Sequence, residues 1–276
     1  MGQMIIGARL HDYGKGTPYE MFSKIAADGF ACTQLAYKKS IAGVRSYADV
    51  TPELVAETVK ACKDTGIWVA IVGAYVELAM NREEERSKNT RDFISQLTVA
   101  KALGSVCVGT ETTDMGKQPA GTSRERALYT LCKSLDEILP VAEALDVNVG
   151  IEPVYLHSMN TVEATRRVLD TMQSKNLKVI LDPANLISAE LSGRQQEVWD
   201  LAGELLGKDI VAIHFKGQNF RPDGSRYSTS LEDSAIDYAG AFEMIRSLGR
   251  DLPVLREEAV PARAASDMAF MRSFWE

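Results

Sequence analysis

Eight short runs rich in β-branched residues recur along the chain, each followed by a longer segment of helical period. They are MIIGARL (4–10), ACTQLAY (31–37), IWVAIVGAY (67–75) and SVCVGTE (105–111), then VNVGIEP (147–153), KVILD (178–182), IVAIHF (210–215) and PVLREE (253–258). Alternation of β and α with largely apolar strands requires a parallel sheet, since parallel neighbours are joined by a crossover that a helix supplies. Eight units of roughly 35 residues account for the whole chain and predict an α/β fold, a single-domain (β/α)8 barrel over residues 1–276. A doubly wound sheet is the alternative. No G-x-G-x-x-G follows an early strand and no phosphate-loop motif occurs, so no nucleotide cofactor is expected. Between the runs, Thr51 and Pro52 suit a helix start and Gly66 its stop. Ser123 caps a second candidate helix, which Pro140 is expected to kink or divide.

Composition narrows the class of function. A net charge of −7 argues against a broad nucleic-acid surface, which needs clustered Lys and Arg. No apolar run is long enough to span a membrane, and the N-terminal segment lacks the pattern of a secretory leader. The four cysteines (Cys32, Cys62, Cys107, Cys132) are scattered and read as reduced thiols, which suggests a cytoplasmic protein.

The strand endings carry the chemistry. Run four closes on Glu111, run five on Glu152, run six on Asp182, run seven on His214, run eight on Glu257 or Glu258, and His11 follows run one. In a barrel these ends converge on one face, where catalytic residues come from several strands. Side chains alternate along a strand. Val149 and Ile151 then pack outward, leaving Gly150 and Glu152 inward. The same parity leaves Ile180 with Asp182, and Ala212 with His214, inward. In run eight both Leu255/Glu257 and Arg256/Glu258 make plausible inward faces. Several carboxylates in one mouth would repel one another, and a divalent cation removes that conflict. Three carboxylates with one imidazole suit a single Mn²⁺, with Mg²⁺ or Co²⁺ next, better than a thiolate-type zinc site.

At these residues the sequence resembles the xylose isomerase-like superfamily of sugar isomerases and epimerases. The resemblance rests on GIEP (150–153), LDPANL (181–186), IHFKG (213–217), DYAGAFEMIRSLG (237–249) and PVLREE (253–258). It implies metal ligands Glu152, Asp182, His214 and Glu257, and a sugar, sugar derivative or polyol as substrate. It also implies an enediolate mechanism in which Glu152 and Glu257 remove and return the proton. Where many ketose 3-epimerases carry a histidine after the metal aspartate, this chain has Asn185. Where they carry a second glutamate after strand five, it has His157 and Ser158. The same sequence family includes apurinic endonucleases of the endonuclease IV type, whose multi-histidine trinuclear zinc site three histidines cannot build. A lyase or dehydratase on the same scaffold and a non-catalytic sugar-binding barrel are the alternatives.

Further substrate contacts are assigned to residues near these ends, each with a plainer reading beside it. His157 could donate to a sugar hydroxyl or be an ordinary loop histidine, and His11 could face the pocket or cap a turn. Lys216 shares the parity of His214 and suits an oxyanion or phosphate, or is an ordinary surface lysine. Asn185 suits a hydroxyl, and Glu111 and Glu77 suit hydroxyls or only line the rim. Residues 217–237 read as a long, polar, patternless binding loop in which Arg221 would meet an acidic group, while Arg226 reads as solvated. Phe270, Phe274 and Trp275, at helical spacing, suit core packing or a subunit contact in a homo-oligomer.

Overall fold

A computed structural model describes residues 2–275. Its strands are β1 (Met4–Arg9), β2 (Cys32–Leu35), β3 (Trp68–Gly73), β4 (Cys107–Glu111), β5 (Asn148–Glu152), β6 (Leu177–Leu181), β7 (Ile210–Phe215), β8 (Gly217–Phe220), β9 (Arg226–Thr229) and β10 (Leu252–Arg256). Eight of them close into a barrel in the order β1-β10-β7-β6-β5-β4-β3-β2, every neighbouring pair parallel. The expected fold is thus the observed one, and each run yields a strand whose ends lie within two residues of the expectation.

Two apolar layers hold the barrel. Outward-facing Val149, Ile151, Val179, Leu181 and Ile213 pack under the helices. Inside, Cys32, Ala70, Ile71, Cys107, Ile180, Ala212 and Leu255 fill the lumen. Glycine is required where this layer is tightest. A Cβ at Gly109 would lie 2.5 Å from Ile180 Cδ1 and 2.7 Å from Ile71 Cγ2. The inner layer therefore forms a floor, and the polar strand ends stand above it.

The helix Pro52–Thr65 opens as expected, with Thr51 accepting from Leu54 N–H, and stops at Gly66 in the left-handed conformation. The helix Arg124–Leu145 opens on Ser123 but is not divided at Pro140. Pro140 and Asp136 both lie on its exposed side, so the carbonyl that proline leaves without an amide partner faces water. Buried Leu135, Leu139 and Ala142 meanwhile anchor both halves.

Residues 217–237 are not patternless. They open with the antiparallel hairpin β8–β9, in which Gly217 pairs with Thr229 and Phe220 with Arg226. Phe270, Phe274 and Trp275 pack inward on the aromatic cluster of Tyr238 and Phe242, with Phe242 and Phe274 stacked at 5.5 Å. Among the described residues no helix is long and apolar enough to cross a membrane.

Candidate active site

Glu152 ends β5, Asp182 follows β6, His214 lies in β7 and Glu257 follows β10, and all four are buried. His214 Nδ1 lies 2.8 Å from Glu152 Oε2 and 3.3 Å from Glu257 Oε1. One donor atom each from Glu152, His214 and Glu257 falls within 4.8 Å of the others. The parity left open in the eighth barrel strand is settled by packing. Leu255 belongs to the lumen layer, which aims Glu257 inward and leaves Glu258 exposed.

Asp182 stands beside this triad but is turned to other partners. Its Oδ1 accepts from Ala184 N–H at 2.8 Å, capping the short turn Pro183–Leu186, and its Oδ2 lies 3.0 Å from Lys216 Nζ. The same ammonium lies 3.0 Å from Glu257 Oε2. Lys216 is thus a buried cation bridging two carboxylates. Behind Glu257, Arg9 Nη1 approaches its Oε1 at 3.3 Å while the guanidinium also grips Asp12.

These charges shift one another. Burial opposes a charged imidazole, but Glu152 and Glu257 override it and lift His214 to about 9. Burial likewise works against the Lys216 ammonium, which Asp182 and Glu257 hold well above the ordinary lysine range. Burial would raise Glu257, yet Lys216, His214 and Arg9 surround it and keep it ionised well below the usual carboxylate range. Asp182 has fewer cations around it, and burial pushes it up to about 6 against the pull of Lys216.

Asn185 has an orientation that its neighbours dictate. Arg226 Nη1, which can only donate, lies 2.9 Å from the Asn185 side-chain oxygen. The amide nitrogen therefore faces Glu152 Oε1, at 2.6 Å. Asn185 is fully buried, and its contact is with the catalytic candidate rather than with open pocket space.

The other expected contacts are spread around the rim. His11 lies edge-on to Tyr75 at 5.6 Å, and burial, with Arg9 and Lys39 nearby, lowers it to about 3. His157 is buried, which lowers its pKa, and its Nε2 lies 3.8 Å from Glu111 Oε2. Burial and then Glu257 raise Glu111. Glu77 pairs with Lys117.

Arg221 is a correction. It sits at the hairpin turn, exposed, over the Tyr227 ring at 5.0 Å and donating to Arg226 O. Arg226, read as solvated, is the one that reaches the site. Hairpin register decides this, because Arg226 shares a face with Gln218, which is buried and donates to Ile187 O.

Arg9, Gln34, Lys39 and Tyr75 were not anticipated. Gln34 donates to Tyr75 OH at 3.2 Å, and Lys39 Nζ lies 3.1 Å from the Tyr75 ring centroid. Strand parity applied to Gly7–Arg9 and Cys32–Gln34 would have found the first two. Tyr75 lies just past β3 but closes the run IWVAIVGAY at the parity of lumen-facing Ile71, whereas Lys39 lies beyond its strand and carries no such signal.

The donor set fits a divalent ion. Carboxylates with an imidazole are a hard-to-borderline set. Buried His214 Nε2 has no hydrogen-bond partner among the described residues. A cavity of about 10 Å³, bordered by Glu111, Glu152, His214 and Glu257, has room for little more than one ion or water.

The chain belongs to the xylose isomerase-like TIM barrel family, whose pattern it matches over residues 22–274. Similar solved structures include a 3-keto-D-glucoside 4-epimerase from E. coli, at 18% identity over 98% of this chain and 100% of that one, TM-score 0.78. A D-tagatose 3-epimerase-like protein superposes with TM-score 0.79, at 16% identity over 99% and 97% of the two chains. An IOLI protein with a bound zinc atom gives 0.76, at 15% identity over 99% and 96%. At such identities these neighbours establish the fold alone. No curated protein sequence matches the chain significantly.

Proposed function

We propose that the protein is a divalent-metal-dependent sugar or polyol isomerase or epimerase. One observation carries this reading: Glu152 and Glu257, two buried carboxylates from separate strands, flank His214 at 2.8 and 3.3 Å. The epimerases among its structural neighbours support it.

Glu152, Asp182, His214 and Glu257 would hold the ion, Mn²⁺ by preference, which supplies a fixed positive charge that acidifies the C–H beside a substrate carbonyl. Asn185 donates to Glu152 Oε1, and His214 meets its Oε2, so both oxygens of the proton acceptor are oriented. Glu257 returns the proton. Delivery to the opposite face of the same carbon gives the epimer, and delivery to the adjoining carbon gives the isomer. Lys216 and Arg9 both hold Glu257, offsetting its charge and fixing its orientation. Asn185, His157, His11 and Glu111 line or brace the surrounding rim. The net charge of −7 supports a small-molecule partner rather than nucleic acid.

Each carboxylate must exchange its proton between turnovers, so solvent deuterium is expected to enter the product at the carbon beside the carbonyl. Glu152→Gln and Glu257→Gln should each slow this exchange by roughly 10²–10⁴-fold. Parent-rate exchange in both variants overturns the acid–base assignment. A product that has lost a leaving group identifies a lyase instead.

A further inference from the structure

The hairpin β8–β9 and the end of β10 enclose a cavity of about 170 Å³ beside the carboxylate cluster. Lys216 is one of its lining residues, and the Lys216 ammonium lies 3.0 Å from both Asp182 and Glu257, so cavity and cluster share a residue. Arg226, Tyr227 and Ser228 line it from the hairpin, and Glu258 lines it from beyond β10. Ser228 pairs with Gln218, and Arg226 with Phe220, so all four lie on the hairpin face that buried Gln218 fixes against the barrel.

Arg226 and Glu258 bring opposite charges to one cavity, yet no ion pair within 4.0 Å joins them. Arg226 is held by its donation to Asn185 at 2.9 Å and by the Tyr155 ring, 5.4 Å away. Glu258 is held by backbone in the left-handed region, at φ 56°. Asp146 and Gln173 also have positive φ, but both cap helix C-termini, where that conformation is ordinary. Glu258 caps no helix, and strained backbone of this kind concentrates at ligand sites.

A guanidinium and a carboxylate held apart across one space match neutral hydroxyl groups, which accept from the first and donate to the second. An anion would meet Arg226 but be repelled by Glu258, and the charge of Lys216 is already shared between two carboxylates. We propose that this cavity is a second subsite for a neutral polyhydroxyl substituent, a glycosyl group by class. The substrate is then larger than the monosaccharide unit whose reacting carbon lies at Glu152 and Glu257. This deepens the sugar reading above and rests on it.

Calorimetric titration of the intact chain with Mn²⁺ present tests it, using D-fructose, glucosyl-fructose disaccharides of several linkages, and fructose 6-phosphate. At least one disaccharide is expected to bind about tenfold tighter than fructose, a difference of about 1.4 kcal/mol. Glu258→Gln and Arg226→Gln should each bring that affinity ratio close to one, with circular dichroism confirming that the variants fold. Fructose binding with no gain for any disaccharide overturns the subsite and leaves the sugar reading standing. A gain for the phosphate alone overturns it in favour of an anion pocket. No binding by any of the sugars overturns both.

Discussion

Lys216→Met removes the ammonium that bridges Asp182 and Glu257. At an effective dielectric near 20, each 3.0 Å contact is worth about 5 kcal/mol of gross attraction. Much of that is offset, because a lysine that is never buried incurs no desolvation penalty. Two buried carboxylates nevertheless remain without their cation, and breaking such an arrangement from one side costs about 3–5 kcal/mol. For a chain of this size the expected fall in Tm is roughly 6–20 °C. The loss has a defined pH dependence. Asp182 is already pushed up to about 6, so below that pH it sheds its charge and needs no partner. The deficit should therefore be larger at pH 8 than at pH 5. Mn²⁺ bound as proposed would neutralise the same carboxylates, so its addition should raise the Tm of the variant more than that of the parent. Thermal melts at both pH values, with and without Mn²⁺, read all three effects. A metal-free variant melting within about 2 °C of the parent at pH 8 would refute the bridging role.

Chelated protein should gain thermal stability on addition of Mn²⁺ or Co²⁺, with His214→Ala losing most of the gain and Glu258→Gln keeping it. Equal shifts in parent and His214→Ala would place the ion elsewhere. Asn185→Ala removes the donor to Glu152 and the acceptor for Arg226 at once; a cost of about 1–2 kcal/mol, read as a roughly 5–30-fold lower kcat, is expected. An unchanged kcat would show that Glu152 is held by His214 alone. His11 is held at about 3 in the folded chain against 6.5 for a free histidine. Below pH 6.5 the unfolded chain takes up a proton that the folded one refuses, so stability falls toward pH 3 by at most about 1.4 kcal/mol per pH unit. Partial exposure of His11 keeps the slope under that limit. His11→Phe should flatten this part of a urea-denaturation pH profile, and an unaltered slope would assign the acid loss to other groups.

Local period determined much of this protein. Strand and helix repeats are properties of neighbouring residues, so eight β–α units were legible without any tertiary information, and so was the inward parity of Glu152, Asp182 and His214 in VGIEP, KVILD and IVAIHF. Parity failed where a strand was polar on both faces. LREE offers two equivalent registers, and only the packing of Leu255 against the lumen selects Glu257. The same holds for side chains whose partners come from distant segments. Lys216 meets Asp182 across 34 positions of chain, and Arg226 meets Asn185 across 41. Neither pairing has a local signature, because each depends on closure of the barrel and on the register of a hairpin that sequence pattern leaves undefined. The strand ends that form the candidate site were therefore readable from sequence, whereas which cation faces which carboxylate was decided by the closed fold.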